Sequence, residues 1–365
     1  MKAGGFAFRV DASHQIGRGH VVRCLTLARG LKERGVSSTF ISRILDGNLN
    51  KHIRSQGFSV IELPPPNNLL KSICETDLTH SHWLEVDWKT DALQTRDALL
   101  NLQIDWLVID HYGLWEKWQT EVRICGAKIM VIDDLADRRH DCDLMLDQNL
   151  GSNLDLYKDL IPQNCRKLFG PEYALLRPEF AEYRAMSLAR RNKGQIDHIL
   201  INFGGGDPGN YIARTLKALL SANIPRQVRI SIIFGGLGKV KPEHQNLISA
   251  FENEIKTYGM VENIAEILTC VDLVIGAAGS SSWERCCLGV PSIIFPISFN
   301  QNRIAKSLST LGAAIMVTEK DLINGELTRL VSSLLRINDL HMISEKASSI
   351  CNGTGLEKII IELHG

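Results

Sequence analysis

Residues 276–292, GAAGSSSWERCCLGVPS, form the pattern best suited to binding an anion. Small residues follow an apolar run, three consecutive serines come next, and a helix is predicted to begin among them. Because a helix N-terminus leaves backbone N–H groups free and carries a partial positive charge, it can hold a diphosphate without Lys or Arg. Glu284 follows, and its carboxylate could accept both hydroxyls of a ribose. An ordinary capping box of Ser281 with Glu284 explains the same spacing equally well.

A second glycine turn, DASHQIGRGH at residues 11–20, joins a predicted strand to a predicted helix over 20–33. It does not match GxGxxG, so a dinucleotide fingerprint is not supported. A histidine at a helix start, such as His20, tends to stay neutral because the positive helix end disfavours its charged form. A neutral imidazole can serve as a general base. A histidine that only caps the helix remains the alternative.

Three further segments carry polar residues with weaker signals. Residues 204–210, GGGDPGN, follow a predicted strand but lack the GK[ST] ending of a phosphate loop. Asn300 and Gln301 offer side-chain amides that suit sugar hydroxyls, although a polar loop capping the next helix explains them as well. Asp133 and Asp134, with Asp137, resemble a metal-binding pair but lack an identifiable set of partner ligands, so no metal site is predicted.

The elements that must position these residues alternate along the chain. Strands are predicted at 5–12, 38–42, 58–63, 106–110, 128–132, 143–146, 196–203, 228–234, 273–277 and 292–295. Amphipathic stretches separate them, which favours parallel sheets. Several strands end in Asp or Asn, as a parallel sheet does where it lines a ligand crevice. A basic, polar stretch at 184–194 divides the pattern into two α/β domains, predicted at 1–185 and 195–345, with a C-terminal helix at 346–365.

Composition restricts the class of protein. Lys plus Arg and Asp plus Glu are equal at 41 each in 365 residues, so no net charge attracts nucleic acid or an anionic membrane. Arg9 and Asp11 interrupt the region where a signal peptide needs its apolar stretch, and no apolar run approaches membrane-spanning length. The nine cysteines are scattered without a CxxC, which favours free thiols and a cytoplasmic location.

Several blocks together resemble a known family. They are RVDASHQIGRGHVVRCLTLA at 9–28, DHYGL at 110–114, IDDLADRRHDCDLMLDQN at 132–149, GPEYALLRPEF at 170–180, NFGGGDP at 202–208 and the segment at 276–292. The chain is similar to the UDP-2,4-diacetamido-2,4,6-trideoxy-β-L-altropyranose hydrolases of pseudaminic acid biosynthesis, whose product enters flagellin or surface glycans. Its second half also resembles the donor-binding half of the UDP-N-acetylglucosamine transferase that makes lipid II.

This resemblance implies a GT-B architecture, in which two Rossmann-like domains with parallel sheets face a central cleft and the C-terminal helix packs back on the N-terminal domain. It implies hydrolysis of the anomeric C1–O bond with inversion and without metal or cofactor. The partners would be a UDP-sugar and water, with no nucleic acid and no membrane. The oligomeric state is not indicated.

The resemblance also implies roles for individual residues. His20 would be the general base that activates water, and Tyr112 would line the sugar pocket. Glu284 would bind the ribose, and main chain near Val261 would read uracil. The other predicted substrate-binding residues lie in the glycine turns or among the amides: Asp11, Gly17, Gly19, Gly205, Gly279, Ser280, Ser281, Asn300 and Gln301.

Two alternatives stay open at the level of sequence. A GT-B glycosyltransferase would use the same donor half but would need an acceptor as second substrate. A non-catalytic module would bind a nucleotide sugar without cleaving it.

Overall fold

The computed structural model of the protein describes residues 4–66, 78–123, 126–191, 195–204, 207, 209–235, 240–337 and 340–364. Within these ranges no helix is both long and apolar enough to cross a membrane. The described cysteines are all free, and six of these seven are buried.

The chain divides into two compact units. Unit 1 comprises Met1–Leu175 and Gly355–Gly365, and unit 2 comprises Leu176–Thr354. These limits differ from the predicted 1–185, 195–345 and 346–365. The helix at 178–191 belongs to unit 2 because Ser187 and Arg191 bond to the carbonyl oxygens of Leu288 and Val271. The predicted C-terminal helix is two helices, of which only the second lies in unit 1.

Unit 1 is built on a seven-stranded parallel sheet in the order β3-β2-β1-β4-β5-β6-β7. Its strands are β1 (Gly5–Val10), β2 (Ser38–Arg43), β3 (Ser59–Leu63), β4 (Ile104–Asp110), β5 (Lys128–Ile132), β6 (Leu144–Asp147) and β7 (Arg166–Phe169). Its helices are α1 (Gly19–Glu33), α2 (Asn50–Ser55), α3 (Trp88–Leu99), α4 (Glu116–Val122), α5 (Leu154–Tyr157) and the last helix of the chain, Gly355–His364, with short 3-10 helices at Ser81–Leu84 and Pro171–Tyr173. Apolar cores cover both faces of the sheet.

Unit 2 has a six-stranded parallel sheet in the order β10-β9-β8-β11-β12-β13. The strands are β8 (His198–Asn202), β9 (Arg229–Ile233), β10 (Ile255–Tyr258), β11 (Leu273–Ala277), β12 (Ser292–Phe295) and β13 (Ile315–Met316). The helices are α6 (Pro178–Arg191), α7 (Tyr211–Ser221), α8 (Pro242–Ile248), α9 (Ile264–Cys270), α10 (Ser281–Cys287), α11 (Gln301–Thr310), α12 (Glu319–Ile323), α13 (Glu326–Ile337) and α14 (His341–Ile350). The last helix, Gly355–His364, is accordingly α15.

Both sheets reverse their strand order at one position, and this confirms the prediction of two parallel α/β sheets. The reversal lies between β1 and β4 in unit 1, and between β8 and β11 in unit 2. In open parallel sheets the loops leaving the carboxyl ends of two such strands diverge to opposite faces, which leaves a crevice for a ligand. The two switch points are therefore where the functional residues of each unit should be sought.

Candidate active site

His20 and Asp110 meet at the switch point of unit 1. His20 lies in the first turn of α1, which follows β1, and Asp110 is the last residue of the neighbouring β4. His20 Nδ1 is 2.6 Å from Asp110 Oδ1. Since an ionised carboxylate can only accept, Nδ1–H donates and the free lone pair of the ring lies on Nε2. That nitrogen has no hydrogen bond to any residue that the structure describes.

Arg23, one turn after His20, holds the Asp110 carboxylate in place. Its Nε lies 2.6 Å from Asp110 Oδ2, and its Nη2 lies 2.6 Å from Asp110 Oδ1. Burial alone would raise the pKa of Asp110, but Arg23 and then His20 outweigh it, and this pKa lies below its ordinary value. The carboxylate is therefore charged and fixed, so it sets both the tautomer and the orientation of His20.

An aromatic cluster of Tyr112, Trp83 and His80 surrounds His20. The Tyr112 ring lies 4.7 Å from the His20 ring, edge to face, and Trp83 stacks on Tyr112 at 5.3 Å between centroids. His80 packs against Trp83 at 4.7 Å. The Tyr112 hydroxyl donates to Asp134, and burial followed by Asp134 raises the pKa of that hydroxyl. Tyr112 thus lies beside His20 as a neutral, enclosed side chain, and its expected place in a sugar pocket stays a prediction.

Asp11 is buried in unit 1, where it binds neighbouring side chains and backbone. It is 0% exposed, and its Oδ1 accepts from the backbone N–H of Arg43 at 2.7 Å and lies 2.7 Å from Arg9 Nη1. The expectation that this side chain binds substrate does not fit its complete burial. Gly17 and Gly19 remain at the turn before α1, where Gly17 has a positive φ of 81° that favours glycine.

In unit 2 the candidate anion site is the turn between β11 and α10. No side chain caps the backbone N–H groups at the start of α10. Ser280 is the N-cap residue and makes no side-chain capping bond, so the capping box of Ser281 with Glu284 is not formed. Arg285 lies behind this turn, 3% exposed, and donates to the Ala277 carbonyl at 2.8 Å and to Ser281 Oγ at 3.2 Å. A buried guanidinium thus fixes the turn from inside and adds positive charge there.

Gln301 faces this turn. A side-chain carbon added to Gly279 would lie 3.5 Å from Gln301 Nε2, so the amide and the glycine backbone are neighbours. Gln301 Oε1 accepts from the Ile297 N–H at 3.1 Å, so the side-chain nitrogen is the amide atom on the side of Gly279. Asn300 is the N-cap residue of α11, and its Oδ1 accepts from the Ser298 hydroxyl at 2.6 Å. The arrangement offers hydrogen-bond donors suited to phosphate oxygens.

Glu284 and the segment near Val261 are linked by Arg177. Arg177 Nη1 donates to the Glu262 carbonyl at 2.6 Å. Glu284 is half-buried, and its pKa is raised by burial against the opposing effects of Arg177 and Arg285. The predicted ribose ligand and the predicted uracil segment therefore share one positively charged neighbour.

Two further residues considered in the sequence, Gly205 and Asp133, add nothing to the candidate site in the described structure. Gly205 lies outside the described residues, although its neighbour Gly204 follows β8 with a positive φ of 87°. Asp133 is paired with Arg138 at 2.7 Å and accepts from the backbone N–H of Ala136, which accounts for its carboxylate. Within the described ranges no three His, Cys, Asp or Glu side chains are grouped so that they could share a metal ion.

Sequence reasoning missed Arg23, Trp83, His80 and Arg285. Arg23 could have been found, because i+3 from a helix-start histidine is the position that shares its face. Trp83 and His80 come from a short 3-10 helix without periodicity, and nothing in their spacing connects them to His20.

Comparison with known proteins gives one matching domain profile and several distant relatives. Residues 203–360 match the glycosyltransferase family 28 C-terminal domain. An uncharacterized protein of Methanocaldococcus jannaschii is 28% identical over 292 residues, 79% of this chain but only 54% of the archaeal protein, so the chain spans about half of that relative. The UDP-2,4-diacetamido-2,4,6-trideoxy-beta-L-altropyranose hydrolase of Campylobacter jejuni is 27% identical over 278 residues, 75% of this chain and 84% of that one. Spore coat polysaccharide biosynthesis protein SpsG of Bacillus subtilis is 25% identical over 350 residues, 91% and 90% of the two chains.

Solved structures show the same architecture. MurG of Acinetobacter baumannii superposes with a TM-score of 0.68 at 14% identity over 99% of both chains. UGT2 of Phytolacca americana, solved with UDP-2fluoro-glucose and pterostilbene, superposes with a TM-score of 0.66 at 13% identity over 100% of this chain and 99% of that one. The chain therefore has the GT-B fold, and its second half is similar to the glycosyltransferase family 28 C-terminal domain.

Proposed function

We propose that the protein hydrolyses UDP-2,4-diacetamido-2,4,6-trideoxy-β-L-altropyranose to UDP and the free sugar, a step of pseudaminic acid biosynthesis. The observation that carries this proposal is the 2.6 Å contact of His20 Nδ1 with Asp110, which leaves Nε2 able to accept a proton. The match of residues 203–360 to a glycosyltransferase C-terminal domain supports a nucleotide-sugar substrate. The hydrolase of Campylobacter jejuni supports hydrolysis and this particular sugar.

In the proposed reaction His20 Nε2 takes a proton from water while the water oxygen attacks the anomeric carbon. The C1–O bond to UDP breaks as the new bond forms, and its electron pair leaves with the β-phosphate of UDP. Attack opposite the leaving group inverts the configuration at C1. The Asp110 carboxylate stabilises the imidazolium that forms on His20, and Arg23 keeps that carboxylate in position.

The residues of unit 2 would stabilise the departing diphosphate. Backbone N–H groups of Gly279, Ser280 and Ser281 and the amide of Gln301 offer donors at the β11–α10 turn, with the buried Arg285 behind them. Preorganised donors of this kind stabilise developing charge without reorganisation during the reaction. Glu284 would hold the ribose, and the main chain near Val261 would read uracil.

A GT-B glycosyltransferase is the second candidate, and it is favoured by the family 28 domain match. In that reaction His20 would deprotonate an acceptor hydroxyl instead of water. The two candidates therefore share the donor site and the base, and they differ in the nucleophile alone.

The first experiment incubates the purified protein with UDP-2,4-diacetamido-2,4,6-trideoxy-β-L-altropyranose and EDTA, without an acceptor, and follows the sugar by NMR. We expect equal amounts of UDP and free sugar, the latter appearing first as the inverted anomer. An intact donor would contradict hydrolysis and direct the work to acceptors.

We expect His20→Ala to lower turnover about 10²–10⁴-fold while UDP affinity stays unchanged, because a general base contributes to the chemical step alone. Turnover by NMR and UDP binding by calorimetry measure the two effects. His14→Ala is the matched control, since His14 belongs to the same turn but its side chain is 78% exposed. An active His20→Ala variant would exclude this residue as the base.

A further inference from the structure

The 3-10 helix Ser81–Leu84 places an indole beside the base. The Trp83 ring lies 6.2 Å from the His20 ring and 5.3 Å from the Tyr112 ring, with 28° between the planes of Trp83 and Tyr112. Trp83 is half-buried, so part of its side chain stays accessible. A partly accessible aromatic surface therefore lies near the His20 ring.

Tyr112 itself has little surface left for a sugar. It is 4% exposed, its hydroxyl is bound to Asp134, and the Arg138 guanidinium lies 5.8 Å from its ring centroid. His20 and Trp83 contact the same ring. Tyr112 thus supports its neighbours, and Trp83 is the more accessible aromatic side chain of the pair.

The segment that carries Trp83 is held on two sides. A side-chain carbon on Gly113 would lie 3.0 Å from the His80 carbonyl oxygen, so the 111–113 turn packs closely against this segment. Gln15 Nε2 donates to His82 Nε2 at 2.8 Å, which connects the segment to the turn before α1. Burial lowers the pKa of His80, so this ring adds no charge beside Trp83 at neutral pH. The segment that carries the indole is therefore held on both sides before any ligand arrives.

We propose that Trp83 is the sugar-contacting aromatic residue of this site and selects pyranoses with apolar patches, such as N-acetylated or deoxygenated sugars, while Tyr112 is a positioning residue for His20 and Trp83. This inference rests on the proposed function, because it takes the UDP-sugar as ligand. Acetamido methyl groups and deoxygenated carbons present C–H bonds that pack on an indole face, whereas a fully hydroxylated sugar keeps more water there.

The test measures binding, so it does not depend on turnover. Calorimetric titrations use His20→Ala and the double variants His20→Ala/Trp83→Ala, His20→Ala/Trp83→Phe and His20→Ala/Trp88→Ala. Each protein is titrated with UDP, UDP-2,4-diacetamido-2,4,6-trideoxy-β-L-altropyranose and UDP-N-acetylglucosamine. Trp88 is a suitable control because it is also half-buried in unit 1 but packs on Trp115, outside the cluster.

We expect Trp83→Ala to weaken binding of the diacetamido donor about tenfold relative to UDP, with Trp83→Phe recovering most of the loss. UDP affinity should be the same in all four proteins, and Trp88→Ala should change neither value. An unchanged ratio of donor to UDP affinity in Trp83→Ala overturns the inference, as does an equal loss for UDP, which would indicate a structural role. Failure of the wild-type protein to cleave the donor would instead contradict the proposed hydrolysis and leave this ratio as a valid test of Trp83.

Discussion

Single residues in unit 2 carry the anion-binding part of the proposal, and Gly279 is the most direct of them. Its backbone adjoins Gln301 Nε2, and its φ is outside the left-handed region, so an alanine can be accommodated without backbone strain. The nearest atom to an added carbon lies at 3.5 Å, which is ordinary van der Waals contact. The fold therefore does not require glycine at this position, which leaves close approach of a ligand as its proposed role.

We expect Gly279→Ala to keep the stability of the protein and to lower UDP affinity about tenfold, because the methyl group occupies the space beside the donors of the turn. Calorimetry with UDP and thermal unfolding measure the two quantities. Ser349→Ala, an exposed substitution on α14 of the same unit, is the control and should leave both unchanged. Unchanged UDP affinity in Gly279→Ala would place the diphosphate elsewhere.

At the scale of single residues, the sequence indicated part of the candidate site. His20 and Gly279 could be predicted because each follows an apolar strand and starts a helix, a local pattern visible in a few residues. The partner of His20 could not be assigned, because Asp110 is 90 positions away and was one of several polar residues at strand ends. Trp83 lies outside any regular pattern, so only the folded chain brings it to His20.

Among the elements, the interior strands and the edge strand β3 could be predicted, whereas the other three edge strands were missed. β7, β10 and β13 each lie at the edge of a sheet, and none was predicted. Their sequences, RKLF, IKTY and IM, are short, and the first two mix apolar with polar or charged residues. These three strands pair on one side only and face water on the other, and they lack the apolar run and the length that identify a strand.

Helix α4 is hydrogen-bonded to the loop before β6 through a buried histidine, His140. Gln119 Oε1 accepts from the backbone N–H of Asp141, so its amide nitrogen donates to His140 Nδ1 at 2.9 Å. Burial, followed by Arg138, lowers the pKa of His140 to about 3 from an ordinary value of 6.5. The folded protein therefore holds this ring neutral, and protonation would break the bond to Gln119.

This arrangement predicts a loss of stability in mild acid. Because the folded pKa of His140 is below the unfolded one, the unfolded chain binds more protons below pH 6.5. The stability that the folded protein gains from keeping His140 neutral is therefore complete above pH 6.5. It is lost as the pH falls toward about 3. We expect His140→Gln to reduce the drop in the free energy of unfolding between about pH 7.5 and about pH 5, measured by urea denaturation. His14→Gln, at an exposed position, should retain the full drop; an equal drop in both variants would contradict the assignment.

In the whole molecule, α15 returns the end of the chain to the unit that contains its beginning. It packs on α1, where a side-chain carbon on Gly30 would lie 2.7 Å from Ile360, and Trp106 donates its indole N–H to the Leu363 carbonyl at 3.0 Å. Ile359 is 0% exposed within the same core as β1 and β4. The last helix is thus part of the core beneath His20.

We expect Ile359→Ala to lower the free energy of unfolding by about 2–5 kcal/mol, since it removes a fully buried side chain. Ile361→Ala, two positions away and 62% exposed, should change it by less than about 0.5 kcal/mol. Hydrogen exchange followed by mass spectrometry should localise the loss to unit 1. A loss confined to unit 2 would show that α15 does not stabilise the first sheet.

The return of α15 has a consequence for how the protein is made. A ribosome releases the seven strands of unit 1 and then all of unit 2 before it synthesises Gly355–His364. Until then the face of α1 at Gly30 lacks its contact with Leu356 and Ile360, while unit 2 is contiguous and can fold as it emerges. The sequence of unit 2 thus interrupts that of unit 1, so all of unit 2 is synthesised before the last helix of unit 1.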